Sequence, residues 1–151
     1  MQKNLVLGNL YAKRDWGHAK DFVRAQWLML QQSKPKDYVI ATGNQISVRD
    51  FIEKVANILE MKMSWRGEGM GEIGIWRRKG EDKTIIKIEP QYFRPAEVET
   101  LLGDPKKAEQ KLGWVPEFTA QEMCVEMVTE DLKAARRVAL LKEHGLELPA
   151  S

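Results

Sequence analysis

Arg94 and Glu97 set a guanidinium and a carboxylate on either side of Pro95, inside the stretch YFRPAEVETLLGDPKKAEQKLGW (92–114). Proline fixes its own φ and biases the residue before it toward an extended conformation. Glu97 can then lie beside Arg94. A planar, forked guanidinium suits phosphate, and a carboxylate can accept two hydrogen bonds from a vicinal diol such as that of ribose. The competing reading makes Glu97 the acidic first turn of a helix.

Two other polar clusters stand out. In GNLYAKRDWGHAKD (8–21), Lys13, Arg14 and His18 stand at or just before a helix start, where free backbone N–H groups also favour anions. The plainer reading is a solvated helix start. In WRRKGEDK (76–83), cations and anions surround Gly80 as they would at a charged hairpin tip. The five tryptophans read as packing residues, with Trp16, beside Arg14, the best candidate to meet a ligand.

Several catalytic patterns are missing. No G-x-G-x-x-G follows an initial strand. No tyrosine has a lysine four positions on: Tyr11 leads to Asp15, Tyr38 to Thr42 and Tyr92 to Ala96. No Ser-His-Asp set or Cys-His pair has a credible context. Cys124 is the single cysteine, which excludes an internal disulfide and fits a reducing, cytoplasmic setting. His18 and His144 are too far apart to suggest a zinc site.

The formal net charge of +2, from 24 basic and 22 acidic residues, argues against nucleic acid as a partner. No apolar run approaches the roughly 18 residues of a membrane span, and MQKNLVLGNL has too short an apolar core for a signal peptide. With 151 residues, the chain suits one domain.

The elements that would carry these groups read as α/β, with helices outnumbering short strands. An extended segment at 4–7 ends at Gly8-Asn9, and a helix covers about 16–32. DYVIAT (37–42) reads as a strand. Ser47 with Asp50 opens a helix that buries Val48, Phe51, Ile52, Val55, Ile58 and Leu59. A strand at 63–67, a loop at 68–74 and a strand pair at 75–79 and 84–89 follow. Asp104-Pro105 starts a helix that stops at Leu112-Gly113. Thr119 opens a last helix to about 143, with Met123, Met127, Val128, Leu132 and Ala135 inward.

LGNLYAKRDWGHAKDFV (7–23), YVIATGNQISVRDFI (38–52) and YFRPAEVETLLGDPKKAEQKLGWVPE (92–117) together resemble the GDP-mannose 4,6-dehydratases, lyases of the extended short-chain dehydrogenase/reductase family. The resemblance runs from about residue 4 to the end of the chain. It implies the carboxy-terminal, GDP-sugar-binding portion of that fold, without the amino-terminal Rossmann core.

By that resemblance Arg94 and Arg14 contact the substrate's pyrophosphate and Glu97 its ribose. Val6, Leu7, Gly8 and Asn9 form the strand and turn that read the base. Lys13 and His18 are weaker matches, as phosphate or structural contacts. Tyr11 stands where an acid is expected, and the region 68–83 is shorter than the usual insertion.

The family reaction, a step toward GDP-fucose, uses NADP with catalytic Thr or Ser, Glu, Tyr and Lys from an amino-terminal portion not matched here. The expectation is therefore a chain that binds GDP or GDP-mannose weakly, holds no cofactor itself and is inactive alone. It would serve a missing Rossmann partner, or else act as a stand-alone binding or assembly protein. A homodimer centred on residues 16–42 is expected, because the helix and strand there are read as packing on the absent lobe.

Overall fold

The computed structural model describes residues 3–94, 96 and 98–145. In chain order the elements are β1 (Leu5–Leu7), β2 (Lys13–Asp15), α1 (Ala19–Leu30), β3 (Gln45–Ser47), α2 (Val48–Ile58), β4 (Met63–Arg66), β5 (Ile73–Arg78), β6 (Glu81–Ile88), β7 (Thr100–Leu101), α3 (Lys106–Leu112) and α4 (Ala120–Glu143). One sheet has the order β1-β6-β5-β4, with β1 parallel to β6 and the other pairs antiparallel. A second has the order β3-β2-β7, with β2 antiparallel to β3 and parallel to β7. No helix among the described residues is long and apolar enough to cross a membrane.

Local chemistry sets the helix starts. Ser47 Oγ accepts from the Asp50 amide at 3.0 Å while Asp50 Oδ2 accepts from the Ser47 amide at 2.9 Å, a complete capping box. Thr119 and Glu122 repeat it at α4. Asp104 Oδ1 accepts from the Lys106 amide at 3.0 Å at the start of α3, and Gly113 ends that helix at φ 65°. α1 starts at Ala19 rather than near 16 because His18 caps it, its Nδ1 accepting from the Lys20 amide at 3.1 Å.

The stretch 15–21 holds the lobe together. Asp15 accepts from the amides of Thr42 and Gly43, each at 2.9 Å, and from the Thr42 hydroxyl at 2.6 Å. Asp21, buried, accepts from the amides of Glu117 and Phe118 at 3.1 Å. Its own carbonyl accepts from Trp114 Nε1 at 2.9 Å. Trp114 sits beside Ala25, Ala108 and Leu112 in the core between α1 and α3.

Several expectations change. Residues 37–42 form no strand: Tyr38 and Ile40 pack on that core, and the Thr42 amide is taken by Asp15. Among the described residues no strand pairs with this segment. The apolar face of α2 is only partly buried, since Phe51, Ile52 and Val55 border an open hollow of about 580 Å³ against β5 and β6. Met127 and Ala135 point outward from α4.

The segment read as a loop at 68–74 ends in order: Glu72 is buried and β5 begins at Ile73. The charged tip is a two-residue hairpin, with Lys79 at φ 53° and Gly80 at φ 85°.

Candidate functional site

The parallel pairing of β1 with β6 brings distant parts of the chain together. The Glu89 amide donates to the Leu7 carbonyl at 3.0 Å, and the chain then makes a 3-10 turn at Pro90–Tyr92 before reaching Arg94. Gly8 lies directly against that turn. On β2, Arg14 is fixed by its backbone pairing with Ile46 and Leu101, and its Nη1 donates to the carbonyls of Lys13 (2.7 Å) and Val98 (2.9 Å).

These segments line an open cavity of about 250 Å³. Leu7, Gly8, Asn9, Arg14 and Arg94 line it, and Ala12, Trp16, Val48 and Tyr92 complete the wall. Val6 does not line it: it pairs with Lys87 within the sheet. Glu97 lies outside the described residues. Lys13 faces a separate hollow with Tyr11, Glu99 and Thr100, which Asn9 also borders. His18 belongs to the helix cap; its ring stacks on Phe118 at 4.4 Å and its Nε2 lies 3.3 Å from Glu126.

The wall holds the guanidinium groups of Arg14 and Arg94, whose forked donors suit an anion such as phosphate. Arg94 is exposed and forms no ion pair with another described residue. Trp16 stacks on Phe51 at 4.5 Å, and its Nε1 donates to the Ile46 carbonyl at 3.2 Å. The ring is therefore a rigid apolar wall with its polar atom already used. Asn9 Oδ1 accepts from the amides of Tyr11 (2.8 Å) and Ala12 (3.2 Å). Its side-chain carbonyl closes the corner between β1 and β2, and its side-chain N–H groups donate to no described residue.

Sequence reasoning missed Tyr92 and Val48 as wall residues. Tyr92 was within reach, being two positions from Arg94. Val48 was assigned only to the helix core.

A family profile described as GDP-mannose 4,6 dehydratase matches residues 1–127. The chain is similar to a GDP-mannose 4,6-dehydratase of Vibrio cholerae, 57% identical over 159 aligned positions that take in 100% of this chain and 43% of that protein. It is 51% identical to one from Yersinia enterocolitica serotype O:8, over 95% of this chain and 41% of the other, and 48% identical to a GDP-mannose 4,6 dehydratase 2 of Caenorhabditis elegans, over 87% and 34%. The chain thus spans less than half the length of these relatives, and it matches their carboxy-terminal part.

Among solved structures, a UDP-glucose 4-epimerase of Thermotoga maritima with UDP-glucose superposes with a TM-score of 0.65 at 20% identity, covering 87% of this chain and 36% of that one. RMD from Pseudomonas aeruginosa complexed with NADPH gives 0.62 at 18%, covering 85% and 36%. These likenesses establish the fold: that of extended short-chain dehydrogenase/reductase epimerases and dehydratases.

Proposed function

The chain belongs to the GDP-mannose 4,6-dehydratase family, and from that premise we propose that it is the GDP-sugar-binding portion of such an enzyme. Arg14 and Arg94 grip the pyrophosphate, Leu7, Gly8 and Asn9 with the backbone of Val6 read the base, and Glu97 takes the ribose hydroxyls. The observation that carries this reading is convergence: segments 7–9, 14 and 94, remote in sequence, wall one cavity with two arginines in it.

The family's reaction uses a nicotinamide dinucleotide as hydride carrier, and the described residues do not fit one. β1 passes through Gly8 into the Asn9 corner and on to β2, and β3 enters α2 directly at Ser47. Neither is a strand leading through a glycine-rich turn to a helix N-terminus. The role left to this chain's own residues is to bind and orient the nucleotide end of the sugar. On this reading the isolated 151-residue chain neither holds NADP nor converts GDP-mannose, and works in the cytoplasm with an amino-terminal Rossmann portion.

Titration with GDP, GDP-mannose and UDP tests the assignment. Half of the pocket being supplied elsewhere, GDP should bind with an affinity nearer millimolar than micromolar, on the order of −4 to −6 kcal/mol. A preference for UDP, or no binding of GDP, refutes it.

One observation favours a second role in assembly. Val23, Trp27 and Leu30 stand exposed along α1, whose Leu28 and Met29 pack on the same core as Tyr38 and Ile40 of segment 37–42. A second copy of the chain would cover this face in a two-fold dimer.

A further inference from the structure

Tyr11 lies in the corner between β1 and β2, where the family resemblance leads one to expect an acid. Its hydroxyl donates to Glu72 Oε2 at 2.7 Å. Arg49 Nη1 donates to Glu72 Oε1 at 2.7 Å and to the Tyr11 hydroxyl at 3.2 Å, so the three groups close a ring. Arg49 is itself held by Glu53 Oε1 at 3.1 Å and lies 4.7 Å from the Trp65 ring centroid, and Trp65 Nε1 donates to the same Glu53 oxygen at 2.7 Å. The Glu72 carboxylate raises the Tyr11 hydroxyl above the ordinary phenol range, which keeps it a donor.

The ring joins elements that the backbone alone joins loosely. The corner rests on the start of α2 through Arg49 N to Leu10 O (2.8 Å) and Val48 N to Ala12 O (3.2 Å). Those bonds fix its distance from α2. The side chain of Tyr11 adds a second anchor, to a carboxylate that leads into β5 of the other sheet. A buried ion pair gives little net stability over a well-packed apolar group, so Glu72, 2% exposed, is poorly explained as a stability device. It is well explained as an orienting one, because the Asn9 oxygen that closes the corner is held by the Tyr11 and Ala12 amides.

We propose that Tyr11, held by Glu72 and Arg49, is a positioning residue that aims the Asn9 amide and the β1–β2 corner at the base end of the nucleotide. The proposal rests on the nucleotide-binding reading above. It makes a split prediction. Arg14 is fixed by its own bonds to Lys13 O and Val98 O, and Arg94 rides on a separate segment. Loosening the corner should therefore affect the base and spare the phosphates.

The test compares wild type with Tyr11→Phe by NMR titration with GDP and with inorganic pyrophosphate, alongside amide hydrogen exchange. Tyr11→Phe should weaken GDP about three- to tenfold, the range of one lost hydrogen bond, and leave pyrophosphate unchanged. The amides of Tyr11 and Ala12 should exchange faster. Equal GDP affinity, or equal weakening of both ligands, overturns the proposal, the second because it marks general loosening. If wild type itself fails to bind GDP, the parent reading falls and takes this one with it. That outcome is visible before any variant is measured.

Discussion

Gly8 and Tyr92 are packed so closely that a Cβ on Gly8 would lie 1.9 Å from the Tyr92 carbonyl oxygen. The contact is backbone to backbone, so no side-chain rotation can relieve it. Gly8→Ala must push the 90–92 turn outward and carry Arg94 away from Arg14. We expect a loss of roughly 1–3 kcal/mol in stability, the usual range for overpacking, together with loss of GDP binding. Urea unfolding and a GDP titration check the two effects separately; an alanine variant that binds GDP normally would break the link between Gly8 and Arg94.

Arg94→Ala should behave differently. The side chain is exposed and has no ion-pair partner among the described residues, so its removal should leave the melting temperature unchanged. GDP binding should weaken by roughly 1.5–3 kcal/mol if charge-assisted bonds to phosphate form. Calorimetry on the variant at matched ionic strength measures this. Equal binding by both proteins would remove Arg94 from the site.

Asp21→Ala tests the frame. The buried carboxylate accepts from the amides of Glu117 and Phe118, and Arg24 lies 3.8 Å away. Deleting it strands two amides, while Arg24 keeps its ion pair with Glu117 and its bond to the Val115 carbonyl, at a cost of roughly 2–4 kcal/mol. The unfolding midpoint should fall accordingly. A shift within error would show that water replaces the carboxylate.

Acid should unfold the chain through its helix starts. Hydrogen bonds from Ser47 lower the Asp50 carboxyl, those from Thr119 lower Glu122, and Lys20 lowers Glu126. Unfolded, these groups return toward 3.8 for the aspartate and 4.5 for the glutamates. A depressed folded value adds stability above the unfolded value, and that stability is lost as pH falls through the folded one. The melting temperature should therefore hold above about pH 5 and drop below about pH 4. Asp50→Asn combined with Glu122→Gln should start lower and show a shallower drop; an identical drop would exonerate the capping boxes.

Trp27→Glu addresses assembly. Val23, Trp27 and Leu30 are 61, 60 and 82% exposed on α1. Wild type should sediment as a dimer at concentrations on the order of tens of micromolar, and the variant as a monomer. A monomeric wild type, with the variant unchanged in size and solubility, refutes the dimer.

What could be read from sequence follows the range of the interactions. Ser47 with Asp50 was legible because a capping box is complete within four consecutive residues; Thr119 was read as a helix start, but its partner Glu122 was not. Arg14 and Arg94 were legible as a pair only through family strings, since no local rule brings β2 and the segment after β6 together. Glu72 was hidden in a glycine-rich stretch, and its burial depends on Tyr11 and Arg49, both remote in sequence. Residues 37–42 have strand-like composition, but a strand also needs a neighbouring edge, which composition cannot report. The inward assignment of Met127 failed because helical spacing does not tell how wide a partner surface is.

The β5–β6 hairpin turns at Lys79 and Gly80, where a Cβ added to Gly80 would meet nothing within 4 Å. β6 then runs its whole length before the chain reaches Glu89 and the cavity wall. A fluorophore or affinity handle inserted at this tip would sit at the far end of the strand from the arginines. It could report on folding or immobilise the lobe while leaving the nucleotide cavity untouched.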